Sequence, residues 1–176
     1  MKTKIDFKNT SYLQQGNAKQ RHAYQVLHRH KVLSILKDFN PVLIGTIPIE
    51  VDIESSDLDI ACHFVDRKAF ERVLKQAFSE KQGFQIWENT SSEPKATIAK
   101  FILEDFEVEI FGQNLPTTQQ RGYRHMLVEH RVLEKRGEHF RQRIIQLKNK
   151  GHKTEPSFAI ALGLEGDPYE ALLKLE

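Results

Sequence analysis

The sequence is short of several things, and each shortage removes a class of protein. Cysteine occurs once, at Cys62. An internal disulfide is therefore excluded, stability has to come from a packed core, and a reducing cytoplasm suits the chain. No apolar run approaches the ~20 residues that cross a bilayer. The N-terminus, MKTKIDFKNT, lacks the apolar segment of a secretory signal. The chain thus reads as cytoplasmic, with no membrane partner. Internal repeats, low-complexity tracts and linkers are also missing, which argues against solenoids and strings of modules. What remains is ordinary globular composition: 39% hydrophobic and 28% charged residues over 176 positions. That is enough for one substantial core, and a single domain spanning 1–176 is expected.

The net charge of +2 conceals an asymmetry. Residues 1–120 hold 15 Lys/Arg against 16 Asp/Glu, whereas residues 121–153 hold 10 against 3. An acidic part followed by a basic part suits a protein that handles polyanions. Two solvated basic helices would give the same count.

Taken in order, the chain alternates helical and extended patterns. The first dozen residues read as a loosely held arm. Ala23, Val26, Leu27, Leu33 and Leu36 predict one helix over 18–37, whose His22, His28 and His30 are surface residues rather than a metal site. Pro41 then turns the chain into a short strand, Val42-Leu43-Ile44. Asp66 is an N-cap candidate for an amphipathic helix through Phe70, Val73, Leu74, Ala77 and Phe78, which Gly83 would end. A strand is predicted over 84–87. The segments 95–103 and 106–111 form a hairpin turning at Glu104-Asp105. Beyond Pro116 the pattern is helical, with stripes through Tyr123, Met126, Leu127 and His130 and through Phe140, Ile144 and Leu147. Asp167-Pro168 starts the last helix. The fold class is α/β (α+β): a mixed sheet over about 18–112 flanked by helices, with a helical C-terminal portion over about 117–176.

The stretch between Ile44 and Phe64 carries the chemistry. Read as a strand, Leu58, Ile60, Cys62 and Phe64 share one apolar face. Asp57, Asp59, Ala61 and His63 share the other. Cys62 is thus a small buried hydrophobe, not a nucleophile. The two aspartates stand roughly 7 Å apart along the strand. Neighbouring carboxylates repel unless something positive lies between them, and hard oxygen ligands suit magnesium. A strand that merely begins with two solvated acids would look the same. A third acid recurs on the later alternating strand, as Glu109 between Val108 and Ile110, with Glu107 as the fallback.

Gly45-Thr46, then Asp57-x-Asp59 twelve and fourteen residues after the glycine, then Glu109 on a separate strand, resembles the nucleotidyltransferase superfamily, the polymerase-β-like enzymes. The resemblance covers about residues 42–112. Gly45-Thr46-Ile47-Pro48 and Gly166-Asp167-Pro168-Tyr169 are similar to a small bacterial group within it, which names no activity. The resemblance implies transfer of a nucleoside monophosphate from an NTP to a hydroxyl acceptor. It implies two Mg2+ (or Mn2+) ions held by Asp57, Asp59 and Glu109, the three catalytic residues. It implies nucleotide contacts from Gly45, Thr46 and Ser56, and the basic helices add Arg121 and Arg124 as candidates. Two departures stand out. Thr46 replaces the usual serine. Ile49 and Glu50, after Pro48, replace a basic residue and a second glycine. With Glu50, Asp52 and Glu54 close by, the loop is expected to repel a triphosphate unless compensated. Two other readings stay open: a noncatalytic member binding nucleotide or a partner, and a nucleic-acid-binding module built on helices 121–153. The last is disfavoured because aromatic residues are not interleaved with the basic ones.

Overall fold

The computed structural model describes residues 5–176. Its centre is a five-stranded mixed sheet in the order β1-β2-β5-β4-β3, from β1 (Val42–Ile44), β2 (Leu58–His63), β3 (Gln85–Asn89), β4 (Ala96–Leu103) and β5 (Phe106–Gln113). Only β2 and β5 run parallel; the β4–β5 hairpin turns at Glu104-Asp105, as the sequence predicts. The parallel pair forms because α3 (Arg67–Phe78), β3 and β4 all intervene between β2 and β5.

Both faces of the sheet are covered. On one, Leu58, Ile60, Cys62 and Phe64 pack with α3 and with α1 (Ala18–Arg29) and α2 (Val32–Ile35), through Val26, Leu27, Phe70, Leu74 and Phe78. This is the apolar face expected from alternation, and Cys62 is fully buried in it. On the other face lie α4 (Arg121–Arg136), α5 (Glu138–Asn149), α6 (Thr154–Leu162) and α7 (Pro168–Leu173). They build a second apolar cluster with Val42, Ile49 and Val51 through Met126, Leu133, Ile144, Phe158 and Leu172. That is why Ala61, on the aspartate face, is fully buried too. Among the described residues no helix is long and apolar enough to cross a membrane.

Local expectations are corrected in four places. The single helix over 18–37 is broken: α1 stops at Arg29, and Lys31 takes a left-handed conformation (φ 52°). The break shifts the phase of the apolar stripe, so Val32 and Leu36 are fully buried while Leu33 is not. Helix α3 ends at Phe78, well before Gly83, which serves the turn into β3 at φ +70°. That strand occupies Gln85–Asn89, a little later than predicted. The arm is not loose over its described part. Phe7 is buried, edge-on to Tyr12 at 5.4 Å and to His130 at 5.0 Å. The rest of that expectation, on residues 1–4, lies outside the described residues.

One glycine fixes how closely α3 approaches the sheet. A Cβ on Gly112, in β5, would meet the Phe70 ring at 2.3 Å, and Phe70 is fully buried. Gly112→Ala is therefore expected to destabilise by about 1–3 kcal/mol, the usual cost of overpacking a core, read as a lower urea midpoint with unchanged slope.

Candidate active site

The geometry starts from strand register. Asp59 on β2 pairs with Glu109 on parallel β5 and with Ile44 on antiparallel β1. Adjacent strands lie about 4.8 Å apart, so Asp59 and Glu109 project side by side from the aspartate face. Glu107, two residues earlier, is exposed and bonded to Lys100 Nζ at 2.9 Å. It does not line the cavity described next.

The cavity has a volume of about 610 Å³, the size of a small-molecule site. Gly45, Thr46, Ser56, Asp57, Asp59 and Glu109 all line its sheet side. Gly45 takes φ +85°, and a Cβ there would lie 2.7 Å from Asp59 Oδ2. Only glycine lets the backbone pass so close to that carboxyl. The Asp59 carboxyl is held well above the usual carboxylate range, first by burial, then by the charges of Asp57 and Glu109. Lys100 on β4, 3.4 Å from Glu109 Oε2, opposes the shift in part. Three acids share one pocket, with Lys100 beside Glu109 and Lys148 within reach of the charge of Asp57. Hard oxygen donors on adjacent strands are the donor set a magnesium ion prefers, so these residues fit it.

The acids are not drawn tight. Among the described residues, the one triad whose ligand atoms all lie within 4.8 Å is His22, Glu104 and Asp105, at the hairpin turn. Its groups are already satisfied: His22 Nε2 lies 2.7 Å from Asp105, and Glu104 binds Arg29 at 2.6 Å and His30 at 3.0 Å. Asp57, Asp59 and Glu109 do not all come within that distance of one another, although a side-chain hydrogen bond joins Asp57 to Asp59.

The loop between β1 and β2 is positioned by residues that sequence reasoning missed. Val51 N–H closes onto Thr46 O at 3.1 Å, making one tight turn around Pro48. Side chains from α1 and α5 then take up the carbonyls. Gln20 donates to Ile47 O (2.8 Å) and Pro48 O (3.3 Å), and Lys19 to Ile53 O (2.6 Å) and Glu54 O (2.7 Å). Arg141 donates to Ile49 O and Glu50 O, and Lys148 to Val51 O at 2.8 Å. Gln20 also closes the capping box with Asn17 that starts α1. That box was readable as a local signal; its reach to the loop was not. Thr46 Oγ1 donates to Ser56 Oγ at 3.1 Å, tying the two ends of the loop together. Glu50, Asp52 and Glu54 lie outside the cavity lining. Lys19, Arg141 and Lys148, bonded to the loop's carbonyls, bring positive charge to the same loop, and the charge of Asp52 acts on Lys148.

The helical side of the cavity comes from α4 to α7. Gly122, His125, Met126 and Glu129 recur at helical spacing along one face of α4, opposite Lys148, Lys153, Glu155 and Tyr169. Asp167 caps α7 through Glu170 N–H, and the turn it starts brings the Tyr169 carbonyl 2.9 Å from His125 Nε2. A carbonyl only accepts, so Nε2 carries the proton and Nδ1 faces Glu155 at 3.8 Å.

Arg121 and Arg124 are not brought to this cavity. Arg121 pairs with Glu170 at 2.6 Å and Arg124 makes a bidentate pair with Glu176 at 2.8 and 2.6 Å. Neither lines the cavity, although Arg121 lies one turn before His125 on α4. Arg121→Ala is expected to change stability by no more than about 0.5 kcal/mol and to leave nucleotide affinity unchanged; calorimetric titration with ATP and magnesium checks this.

Comparisons with known proteins agree with this architecture. A family described as a domain of unknown function, DUF4269, matches residues 25–175. The chain belongs to the DUF4269 family. No curated protein is significantly similar to this DUF4269 chain in sequence. Among solved structures it is similar to the RNA terminal uridylyl transferase Cid1 (TM-score 0.57, 14% identity, 87% of this chain and 52% of that one). It is also similar to the polymerase core of TRAMP, an RNA surveillance complex (0.53, 11%, 89% and 49%), and to the GLD-2/RNP-8 complex (0.52, 12%, 86% and 57%). This DUF4269 member therefore has the nucleotidyltransferase-like mixed sheet flanked by helices. It spans about half the length of those structures, and identities this low speak for the fold alone.

Proposed function

We propose that the protein is a metal-dependent nucleotidyltransferase acting at this cavity, with a hydroxyl acceptor. The observation that carries the reading is the register of Asp59 beside Glu109 next to the Gly45 turn, on a sheet of the matching fold. Asp57, Asp59 and Glu109 are the residues that would hold magnesium. When bound, the ions supply charge neutralisation at the transferred phosphorus and a lowered pKa for the attacking hydroxyl.

The chain's own groups do the rest. The Gly45 backbone admits phosphate oxygens, and Thr46 and Ser56 offer hydroxyls at the mouth of the loop. Lys19, Gln20, Arg141 and Lys148 fix that loop before substrate arrives, so little ordering is left to do at the moment of reaction. The acceptor oxygen bonds to the α-phosphorus as its bond to the pyrophosphate oxygen breaks. The hydroxyl proton passes to a carboxyl oxygen of Glu109. Arg121 and Arg124 have no part in this reading. The likeness of Gly45-Thr46-Ile47-Pro48 to a small bacterial branch of the superfamily belongs to it as well.

Pyrophosphate release is the direct test, with each of the four ribonucleotides, magnesium or manganese, and a mixture of hydroxyl acceptors. The expected result is release by the parent and none by the Asp57→Ala/Asp59→Ala double variant. Metal-dependent ATP binding without release would instead favour a noncatalytic nucleotide-binding member.

A further inference from the structure

A second hollow, of about 670 Å³, opens toward the far end of β2 and shares no lining residue with the three-acid cavity. Four separate pieces of chain wall it: the arm at Lys8, the turn after α2 at Lys37, the end of β2 at His63, and the turn before α4 at Thr118. His63 follows Asp59 by four residues on β2, so the two lie roughly 13 Å apart along the strand. Thr117 Oγ1 donates to Asn40 O at 2.9 Å, fixing one rim to the other. Gln120 fastens the same turn to β2 through Cys62 O at 2.8 Å. The hollow is therefore built into the folded frame.

Its charge sets it apart. No aspartate or glutamate lines it among the described residues, whereas five carboxyls line the cavity around Asp59. Asp6, two residues before Lys8, is committed to its own turn, accepting from Lys8 N–H at 3.0 Å and from Asn9 at 3.2 Å. Many other cations of the chain are met by acids, as Arg29 is by Glu104, Arg121 by Glu170 and Arg124 by Glu176. Neither Lys8 nor Lys37 has a carboxylate partner among the described residues. Two ammonium groups in one concavity raise each other's energy unless an anion joins them. His63 adds an N–H donor in either tautomer, and Ser34 and Thr118 add hydroxyls. Leu33, Val42 and Pro116 supply an apolar floor.

We propose that this hollow binds a small organic phosphate monoester, with the phosphate among Lys8, Lys37 and His63 and the carbon skeleton on Val42 and Pro116. A phosphate dianion matches two lysines in charge, and its three terminal oxygens accept from several donors at once. Arginine, whose planar fork suits carboxylates, is missing from the lining. The cations share one hollow instead of forming a stripe, which matches a single phosphate group and not a nucleic-acid backbone. The proposal does not rest on the nucleotidyl-transfer reading, whose metal and nucleotide belong at the other end of β2.

The test titrates the full chain, without metal or nucleotide, with phenyl phosphate and follows amide resonances by NMR. A pH of about 7.5 keeps the phosphate close to doubly charged. Inorganic phosphate and benzyl alcohol are the controls, the first lacking the apolar part and the second the charge. The amides of Lys37, His63 and Thr118 are expected to shift together. Phenyl phosphate should bind at least about fivefold more tightly than either control. Lys8→Gln and Lys37→Gln, both at exposed positions, should each weaken binding at least about threefold and together abolish it, with unchanged thermal melts. Asp57→Ala/Asp59→Ala should keep parental affinity. Equal affinity for either control overturns the proposal, as does parental affinity in the double lysine variant. Shifts centred on Gly45, Asp59 and Glu109, or spread evenly over surface lysines, overturn it too. Displacement of phenyl phosphate by a 5′-phosphorylated oligoribonucleotide at lower concentration overturns it in favour of a nucleic-acid end.

Discussion

Asp59→Asn is expected to weaken magnesium-dependent ATP binding and pyrophosphate release by at least about a hundredfold and to do so without lowering the melting temperature. The second half follows from the crowding around that side chain. Asp59 shares its pocket with Asp57 and Glu109, and the Gly45 backbone closes over its Oδ2. An amide of the same shape removes like-charge repulsion and keeps the volume. A purely structural aspartate behaves oppositely, because losing a stabilising charge costs stability. The flanking positions provide the contrast. Leu58→Ala or Ile60→Ala, each fully buried, should cost about 2–5 kcal/mol and affect binding only through folding. Thermal melts beside calorimetric ATP titrations separate the two classes. A large drop in melting temperature for Asp59→Asn would mark it as a structural residue.

The second large effect concerns pH. Glu129 is held up to about 8, mainly by burial, against an ordinary value near 4.5. Between those values the folded protein keeps a proton that the unfolded chain has released. The stabilising contribution is complete below the lower value and is lost as pH rises to the upper one. Lys148 works in the other direction. Burial lowers it from 10.5 to about 8, so between these values the unfolded chain holds the extra proton and stability rises with pH. Together they predict a local minimum in stability near pH 8. The depth is on the order of a few kcal/mol. Glu129→Gln should flatten the falling limb between about pH 5 and 8 and be more stable than the parent at pH 8. Lys148→Met should flatten the rising limb while loosening the loop at Val51. Urea unfolding across pH 5–10 measures both. Parallel curves for parent and Glu129→Gln would contradict the assignment.

What the sequence disclosed about the site was its local periodicity. Alternation placed Leu58, Ile60 and Cys62 on the core face of β2, and a spacing of two put Asp57 and Asp59 together opposite them. The hairpin at Glu104-Asp105 was legible because two alternating runs meet at two polar residues, and it carried Glu109 to the register of Asp59. What escaped was set by distant partners. Nothing near Gln20 or Lys148 says that they bind loop carbonyls 27 and 97 residues away. Arg124 looked available because its partner, Glu176, is supplied by the end of the chain. His125 lies among the arginines on the polar face of a basic helix, yet Glu155 of α6 and Tyr169 of α7 cover it, and Glu129, one turn on, is buried as well. Helix α1 broke at Lys31 because two buried side chains, Val32 and Leu36, needed a phase that one straight helix could not give them.

Manganese gives the most direct measurement of the central claim, since its unpaired electrons broaden nearby amide resonances. In labelled protein with ATP, substoichiometric Mn2+ should first broaden the amides of Gly45, Asp57, Asp59 and Glu109, residues far apart in sequence that β1, β2 and β5 bring to one wall. Broadening centred instead on His22, Glu104 and Asp105, or spread evenly over surface carboxylates, would contradict a metal site at the β2–β5 seam.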